Sequence, residues 1–242
     1  MRMLIPDLAA LALLPVLAVQ GRQVRRRTPR LPEASGERSG MAGSAQGSLL
    51  RLLAVGESPV AGVGVANQQE SITGQLAEAL AVRTGRPVAW QAFGQNGATV
   101  SDAISGIVGQ VPHSPVDVLL VAFGVNDTVA FRRHGQWLRD MQVLLAALRD
   151  RCSPTVVLLS GVPPMQDFPA LPQPLRWVLG MKASTLECGL EELARSVDGV
   201  CHIPLRIGGD PSMAAEDGYH PSAKGCREWA RLLAEAYMRN AQ

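Results

Sequence analysis

Five apolar runs divide the chain. The first, Leu52-Leu53-Ala54-Val55, ends on Gly56 and leads into Glu57-Ser58-Pro59-Val60; Val88 to Phe93, Val116 to Phe123, Thr155 to Leu159 and Val200 to Pro204 follow it. Between them apolar positions recur at helical spacing: Ile72, Leu76 and Leu80 ahead of Gly85 and Pro87, then Trp137, Met141, Leu144, Leu145 and Leu148. Leu186, Leu190, Leu193 and Val197 form a third such stripe, and Trp229, Leu232, Leu233 and Tyr237 a fourth. Runs such as Val118-Leu119-Leu120-Val121-Ala122 are apolar at consecutive positions, the pattern of strands buried on both faces of a parallel sheet. Strands alternating with helices predict an α/β fold, a three-layer sandwich around a five-stranded parallel sheet. Such sheets take their ligands beyond the carboxyl ends of the strands.

The N-terminal stretch has a different character. Leu8 to Val19 is uncharged and apolar, is broken by Pro15, and is followed by Arg22, Arg25, Arg26 and Arg27. It is shorter than the roughly 20 apolar residues of a membrane span. A signal peptide carries its positive charge ahead of the apolar stretch, whereas here most of it follows. The segment reads as an N-terminal apolar helix that is interfacial or packed on the domain, with a membrane anchor and a cleaved signal as alternatives. Residues 3–27 are accordingly the candidate for a peripheral membrane contact. An anchor would leave the arginines, and with them the domain, on the cytoplasmic side. Arg30 to Gly47, rich in Ser, Gly and Pro, reads as a linker. The expected organisation is an appendage over residues 1–48 and an α/β domain over residues 49–242.

Composition narrows the partners. The 242 residues are 47% hydrophobic with a formal charge of +2, enough apolar content for a large core. The first 40 residues hold seven arginines against three acids, a local +4 that leaves the remainder at about −2. That balance makes no electrostatic case for nucleic acid. Cys152, Cys188, Cys201 and Cys226 are scattered without metal-ligand spacing and read as buried thiols. They suit a cytoplasmic protein, with or without membrane association, better than a secreted one.

The chemistry-bearing residues fall after the predicted strands. Ser58 stands at the tip of the first, held before Pro59, which disfavours a helical conformation and predicts an accessible turn. Gly97, in Asn96-Gly97-Ala98-Thr99, follows the second, and Asn126, in Gly124-Val125-Asn126-Asp127, the third. Asp217 and His220, in Asp217-Gly218-Tyr219-His220-Pro221, follow the fifth, so all share one sheet edge. A serine hydroxyl needs a positioned imidazole to take its proton, and the imidazole needs an acid to orient it. His220 is the one histidine with an acid three residues away and a flexible Gly218 between them. His113, His134 and His202 suit surface or core roles, and Asp127 reads as the cap of a helix beginning near Thr128.

The order and spacing of these blocks resemble the SGNH hydrolases, also called GDSL-type esterases and lipases, from about Leu49 to the C-terminus. The resemblance implies a flavodoxin-like strand order 2-1-3-4-5, with the tips of the first and third strands side by side. It implies a catalytic triad of Ser58, Asp217 and His220, with an oxyanion hole formed by the N–H groups of Ser58 and Gly97 and the side-chain amide of Asn126. An α/β-hydrolase elbow, Gly-x-Ser-x-Gly, is excluded: Pro59 has no N–H to donate and Val60 stands at the second glycine. The family's Gly-Asp-Ser is Gly56-Glu57-Ser58 here. The implied activity is hydrolysis of small acyl esters or lysophospholipid-like substrates through an acyl-enzyme on Ser58, with no cofactor or metal. The alternatives are an acyltransferase on the same site and a catalytically weak binding protein disabled at Glu57. The apolar stretch from Gly161 to Pro174 either lines an acyl pocket or crosses the surface.

Overall fold

The apolar runs are strands of one sheet in the computed structural model, which describes residues 5–44, 47–205 and 210–240. Among these residues the sheet has six strands, β1 (Ser39–Ala42), β2 (Leu50–Gly56), β3 (Val88–Gly94), β4 (Val118–Ala122), β5 (Val156–Ser160) and β6 (Val200–Ile203). Their spatial order is β1-β3-β2-β4-β5-β6, with β2 to β6 all parallel. The five expected strands thus take the flavodoxin-like order. Gly56, at the end of β2, pairs with Ala122, at the end of β4, so the two tips are neighbours.

Around the sheet lie α1 (Ile5–Ala12), α2 (Leu14–Arg27), α3 (Ser58–Ala61), α4 (Ile72–Thr84), α5 (Val100–Asp102), α6 (Val125–Val129), α7 (His134–Cys152), α8 (Leu175–Ser196) and α9 (Ala223–Asn240). Alternate side chains of the central strands feed two cores. Leu53, Val55, Leu119 and Val121 meet the Trp137, Met141, Leu186 and Leu190 faces of α7 and α8. Leu52, Ala54, Val118 and Leu120 meet Leu76 and Leu80 of α4 with Trp229 and Leu233 of α9. Each of the larger of these side chains contributes about 1.5–3 kcal/mol on leaving water, so the sheet is clamped from both faces close to its carboxyl edge. Of the C-terminal stripe, Leu232 is only half-buried.

Three expectations need correction. The stretch from Arg30 to Gly47 is more than a linker: Ser39–Ala42 adds an antiparallel edge strand to β3, Gly40 opposite Trp90. A Cβ on Gly40 would come within 2.8 Å of the Trp90 ring, so glycine lets the strand lie flat over the indole. The N-terminal helix is two helices, because Pro15 cannot donate the backbone bond that would continue α1, and the axes turn by 86° at the break. Residues 3 and 4 of that segment lie outside the described residues. The third correction concerns Asp127. Helix α6 already begins at Val125, after Gly124 at φ +142°, where a Cβ would strike Val162. Asp127 is therefore inside α6, fully buried, and accepts at 3.1 Å the N–H of Val100, the first residue of α5, instead of capping its own helix. Burial pushes its carboxyl up to about 6.

Candidate active site

At the β2 tip the chain turns on Glu57. Ser58 opens α3, and both Val60 and Ala61 donate their N–H groups to the Glu57 carbonyl. The turn expected from the pre-proline restriction is thus a short helix start. Proline fits there because a first-turn residue has no intrahelical acceptor to lose. Ser58 is also less open than expected, at 8% exposure, and what surface it keeps faces a cavity. Its backbone N–H, in the first turn, has no acceptor within the helix.

Glu57 itself is 3% exposed and reaches across to the next strand. Its carboxylate accepts the Val125 N–H at 2.9 Å, the Asn126 N–H at 3.0 Å and an N–H of the Asn126 side-chain amide. Burial pushes its carboxyl up to about 8, against the downward pull of the Val125 and Asn126 N–H groups. The Asn126 amide makes a second bond, to the Ala98 carbonyl at 3.1 Å. The three loops after β2, β3 and β4 are thereby joined through one asparagine and one glutamate. Gly97 sits in the loop after β3 at φ +81°, a conformation that favours glycine, with open space where a Cβ would be.

The C-terminal pair closes the other side. Asp217 Oδ2 lies 2.6 Å from His220 Nδ1, and Asp217 Oδ1 accepts the N–H groups of Tyr219 at 2.9 Å and His220 at 3.0 Å. Burial alone would raise the Asp217 carboxyl; the bonds from the His220 ring and the two backbone N–H groups outweigh it and hold the group below the usual aspartate range. Gly218, at φ +63°, makes the bend. Gly64, at φ +100°, allows the His220 loop to seat closely, since a Cβ there would come within 2.5 Å of the Pro221 carbonyl.

Ser58 and His220 both line a cavity of about 160 Å³ whose walls include Pro163, Pro164, Phe168, Met213 and Trp229. From the Gly161–Pro174 stretch, Pro163, Pro164, Asp167, Phe168 and Pro169 therefore line the pocket. Tyr219, which lies within the Asp217–Pro221 block but has no role expected there, stacks edge-on against Phe168 and against the His220 ring, with centroids 5.1 and 5.3 Å apart. Burial pushes its phenol well above the usual range. The other histidines stand apart from this site: His113 is exposed, His134 opens α7, and His202 lies 3.0 Å from Glu187. Cys152 and Cys226 are buried, Cys201 half-buried and Cys188 exposed, which departs from four buried thiols.

A buried acid bonded to a half-buried histidine, with a serine at the carboxyl edge of a 2-1-3-4-5 parallel sheet, defines a class, the SGNH-type hydrolase fold. The chain belongs to the GDSL-like lipase/acylhydrolase family, whose model matches residues 54–228. It is similar to the GDSL-like esterase Rv1075c of Mycobacterium tuberculosis, with 28% identity over 196 residues, 76% of this chain and 60% of that protein. The chain thus spans less than two thirds of that relative's length. Among solved structures it resembles the lipase Lip_vut3 from a goat rumen metagenome, with 18% identity, a TM-score of 0.63, and 77% and 97% of the two chains covered. It also resembles a Clostridium thermocellum family 3 carbohydrate esterase, at 15% identity and a TM-score of 0.59, over 80% of this chain and 97% of that one. At these identities the structural likeness is one of fold.

Proposed function

We propose that this protein hydrolyses carboxylic esters with apolar acyl groups, small acyl esters or lysophospholipid-like substrates, through an acyl-enzyme on Ser58. The observation that carries the reading is the cavity shared by Ser58 and His220, walled by prolines, Phe168 and Trp229. Asp217 holds His220 through Nδ1, leaving Nε2 to take the Ser58 proton as the oxygen attacks the acyl carbon. His220 then returns that proton to the departing alcohol. Water, activated by the same nitrogen, attacks the acyl-enzyme and releases the acid. The N–H groups of Ser58 and Gly97 and the Asn126 amide are the proposed donors to the oxyanion.

A fluorophosphonate probe, with the labelled residue read by peptide mass spectrometry, tests the nucleophile, and a series of p-nitrophenyl esters of increasing chain length tests the pocket. The expected result is labelling at Ser58, turnover that peaks at an aliphatic chain, and loss of both in Ser58→Ala, with kcat down on the order of 10⁵- to 10⁶-fold. Labelling elsewhere, or activity retained in Ser58→Ala, overturns the mechanism. Labelling at Ser58 without ester turnover overturns hydrolysis and favours transfer to another acceptor.

A further inference from the structure

The helix pair α1–α2 is held on the domain from one side and bare on the other. Asp7 accepts a bond of 2.8 Å from Lys182, an ammonium on α8 whose side chain is only 1% exposed. Gln20 donates to the Gln173 carbonyl at 2.6 Å and accepts the Leu175 N–H at 3.0 Å, while Leu17 is buried in the core. The outer side carries Ile5, Leu8, Leu11, Leu14, Val16 and Val19, each 46–69% exposed. Half of the large apolar side chains exposed among the described residues are thus concentrated between residues 5 and 19. A single exposed leucine needs no explanation; six exposed apolar side chains on one helix pair do.

The charge beside that row identifies its partner. Arg22, Arg25, Arg26 and Arg27 close α2 and Arg30 follows, whereas the one acid between residues 5 and 30, Asp7, is engaged by Lys182. Trp177, half-exposed on α8, borders Ile5 and Pro6 across a shallow surface pocket, placing an indole at the edge of the apolar row. We propose that α1–α2 docks the protein onto the surface of an anionic lipid bilayer, with the apolar row in the acyl boundary, the arginines at the phosphates and Trp177 at head-group depth. Together α1 and α2 have the length and composition of a broken span, but Asp7, Gln20 and Leu17 hold the pair on the domain. No single described helix is long and apolar enough to cross a membrane, and the pair is bent by 86°. A second copy fits no better, because it brings another arginine cluster and no acidic counterpart. The inference is independent of the esterase reading, since it concerns binding alone.

The test uses the full chain with vesicles of phosphatidylcholine alone or mixed with phosphatidylglycerol, read by co-sedimentation. Expected is binding to the mixed vesicles at least tenfold tighter than to the neutral ones, weakening as salt rises. Leu8→Glu with Leu11→Glu should remove it, and Arg25→Ala with Arg26→Ala should weaken it roughly 5-fold per arginine. Both leucines are well exposed, so melting temperature and ester turnover in solution should be unchanged. Equal binding to both vesicle types, or binding to neither, overturns the proposal. So does a dimer that Leu8→Glu dissociates, which would mean that a second copy covers the row, and so does resistance of the membrane-bound chain to carbonate extraction, which would mean a span.

Discussion

Glu57 and Asp217 are both nearly sealed from solvent, at 3% and 5% exposure, and each accepts two backbone N–H groups. Their ionisation is nonetheless pushed in opposite directions, upward for Glu57 and downward for Asp217. Burial weighs more heavily on Glu57, where Asp127 adds a like charge nearby, and the two acids also differ in their third donor. Glu57 meets the neutral amide of Asn126, which cannot gain a charge, whereas Asp217 meets an imidazole that becomes cationic when it takes a proton. Burial without a counter-charge favours the protonated acid, and burial beside a group that can become positive favours the carboxylate. One site therefore holds two carboxyl groups in different settings: Glu57 braces loops, and Asp217 is placed to answer the charge that would develop on His220 in the proposed reaction.

The largest expected effect follows from removing that answer. Asp217→Asn keeps the shape but presents an amide to Nδ1, which favours the wrong imidazole tautomer and removes the compensating charge, so kcat should fall about 10⁴-fold while the fold persists. The pH dependence of stability should change as well. Because the Asp217 carboxyl is lowered in the folded state, its stabilisation is present above the usual aspartate pKa and is lost as pH falls through the folded value. The variant should lack that acid-side loss. Should Asp217→Asn lower the melting temperature and leave kcat near normal, Asp217 would be a brace like Glu57 and the contrast would collapse.

Asn126 stands between the two roles. Its amide donates to Glu57 and Ala98, which takes both of its hydrogens and braces the loops; in the proposed reaction one of these bonds is given up for the oxyanion. Asn126→Ala should reduce kcat by about 10²- to 10³-fold with little change in KM if it makes that donation. It should also lower the melting temperature, because Ala98 and Glu57 each lose a donor, at about 1–3 kcal/mol for a buried group left unpaired. A lowered melting temperature with normal kcat in the folded fraction would assign Asn126 to bracing alone.

How much of this could be read from the chain depends on the sequence distance over which each feature is made. Strand tips were legible because each is local: an apolar run, then Gly56, Gly124 or the Asn96-Gly97 turn. The Asp217–His220 pair was legible for the same reason, being three residues apart. Glu57 could be marked as a departure from Gly-Asp-Ser, but its function could not, because its partners lie 68 and 69 residues away. The anchoring of α1 by Lys182 spans 175 residues. Strand β1 left no apolar pattern, since Ser39 and Met41 are exposed, Gly40 has no side chain, and its stability comes from backbone pairing with β3. The Glu33 carboxylate just before it accepts the Asn96 N–H at 3.0 Å and pairs with Arg38, which donates to the Gly94 carbonyl. What reads as a linker thus supports the Gly97 loop.

The smallest effect, and the finest test of the contrast, is the pH response of Glu57. Its folded-state carboxyl is raised from 4.5 to about 8, so the proton is bound more tightly in the folded protein than in the unfolded one. The associated stability is fully present below about 4.5 and is lost as pH rises through 8, the reverse of Asp217. At roughly 1.4 kcal/mol per pKa unit, the upper limit across that window is several kcal/mol, reduced by whatever relaxation lets water reach the site. Glu57→Gln removes the titration. It also leaves one acceptor oxygen where the Val125 and Asn126 N–H groups now have two, a cost that does not vary with pH. Thermal melts of the two proteins should therefore show wild type clearly ahead near pH 5, with the gap narrowing steadily toward pH 8. Turnover in Glu57→Gln should change by about tenfold or less if the glutamate acts on Asn126 only through position. A gap in melting temperature that stays constant across the window would mean that the Glu57 carboxyl is ionised throughout, its three N–H donors outweighing burial as the His220 bonds do at Asp217.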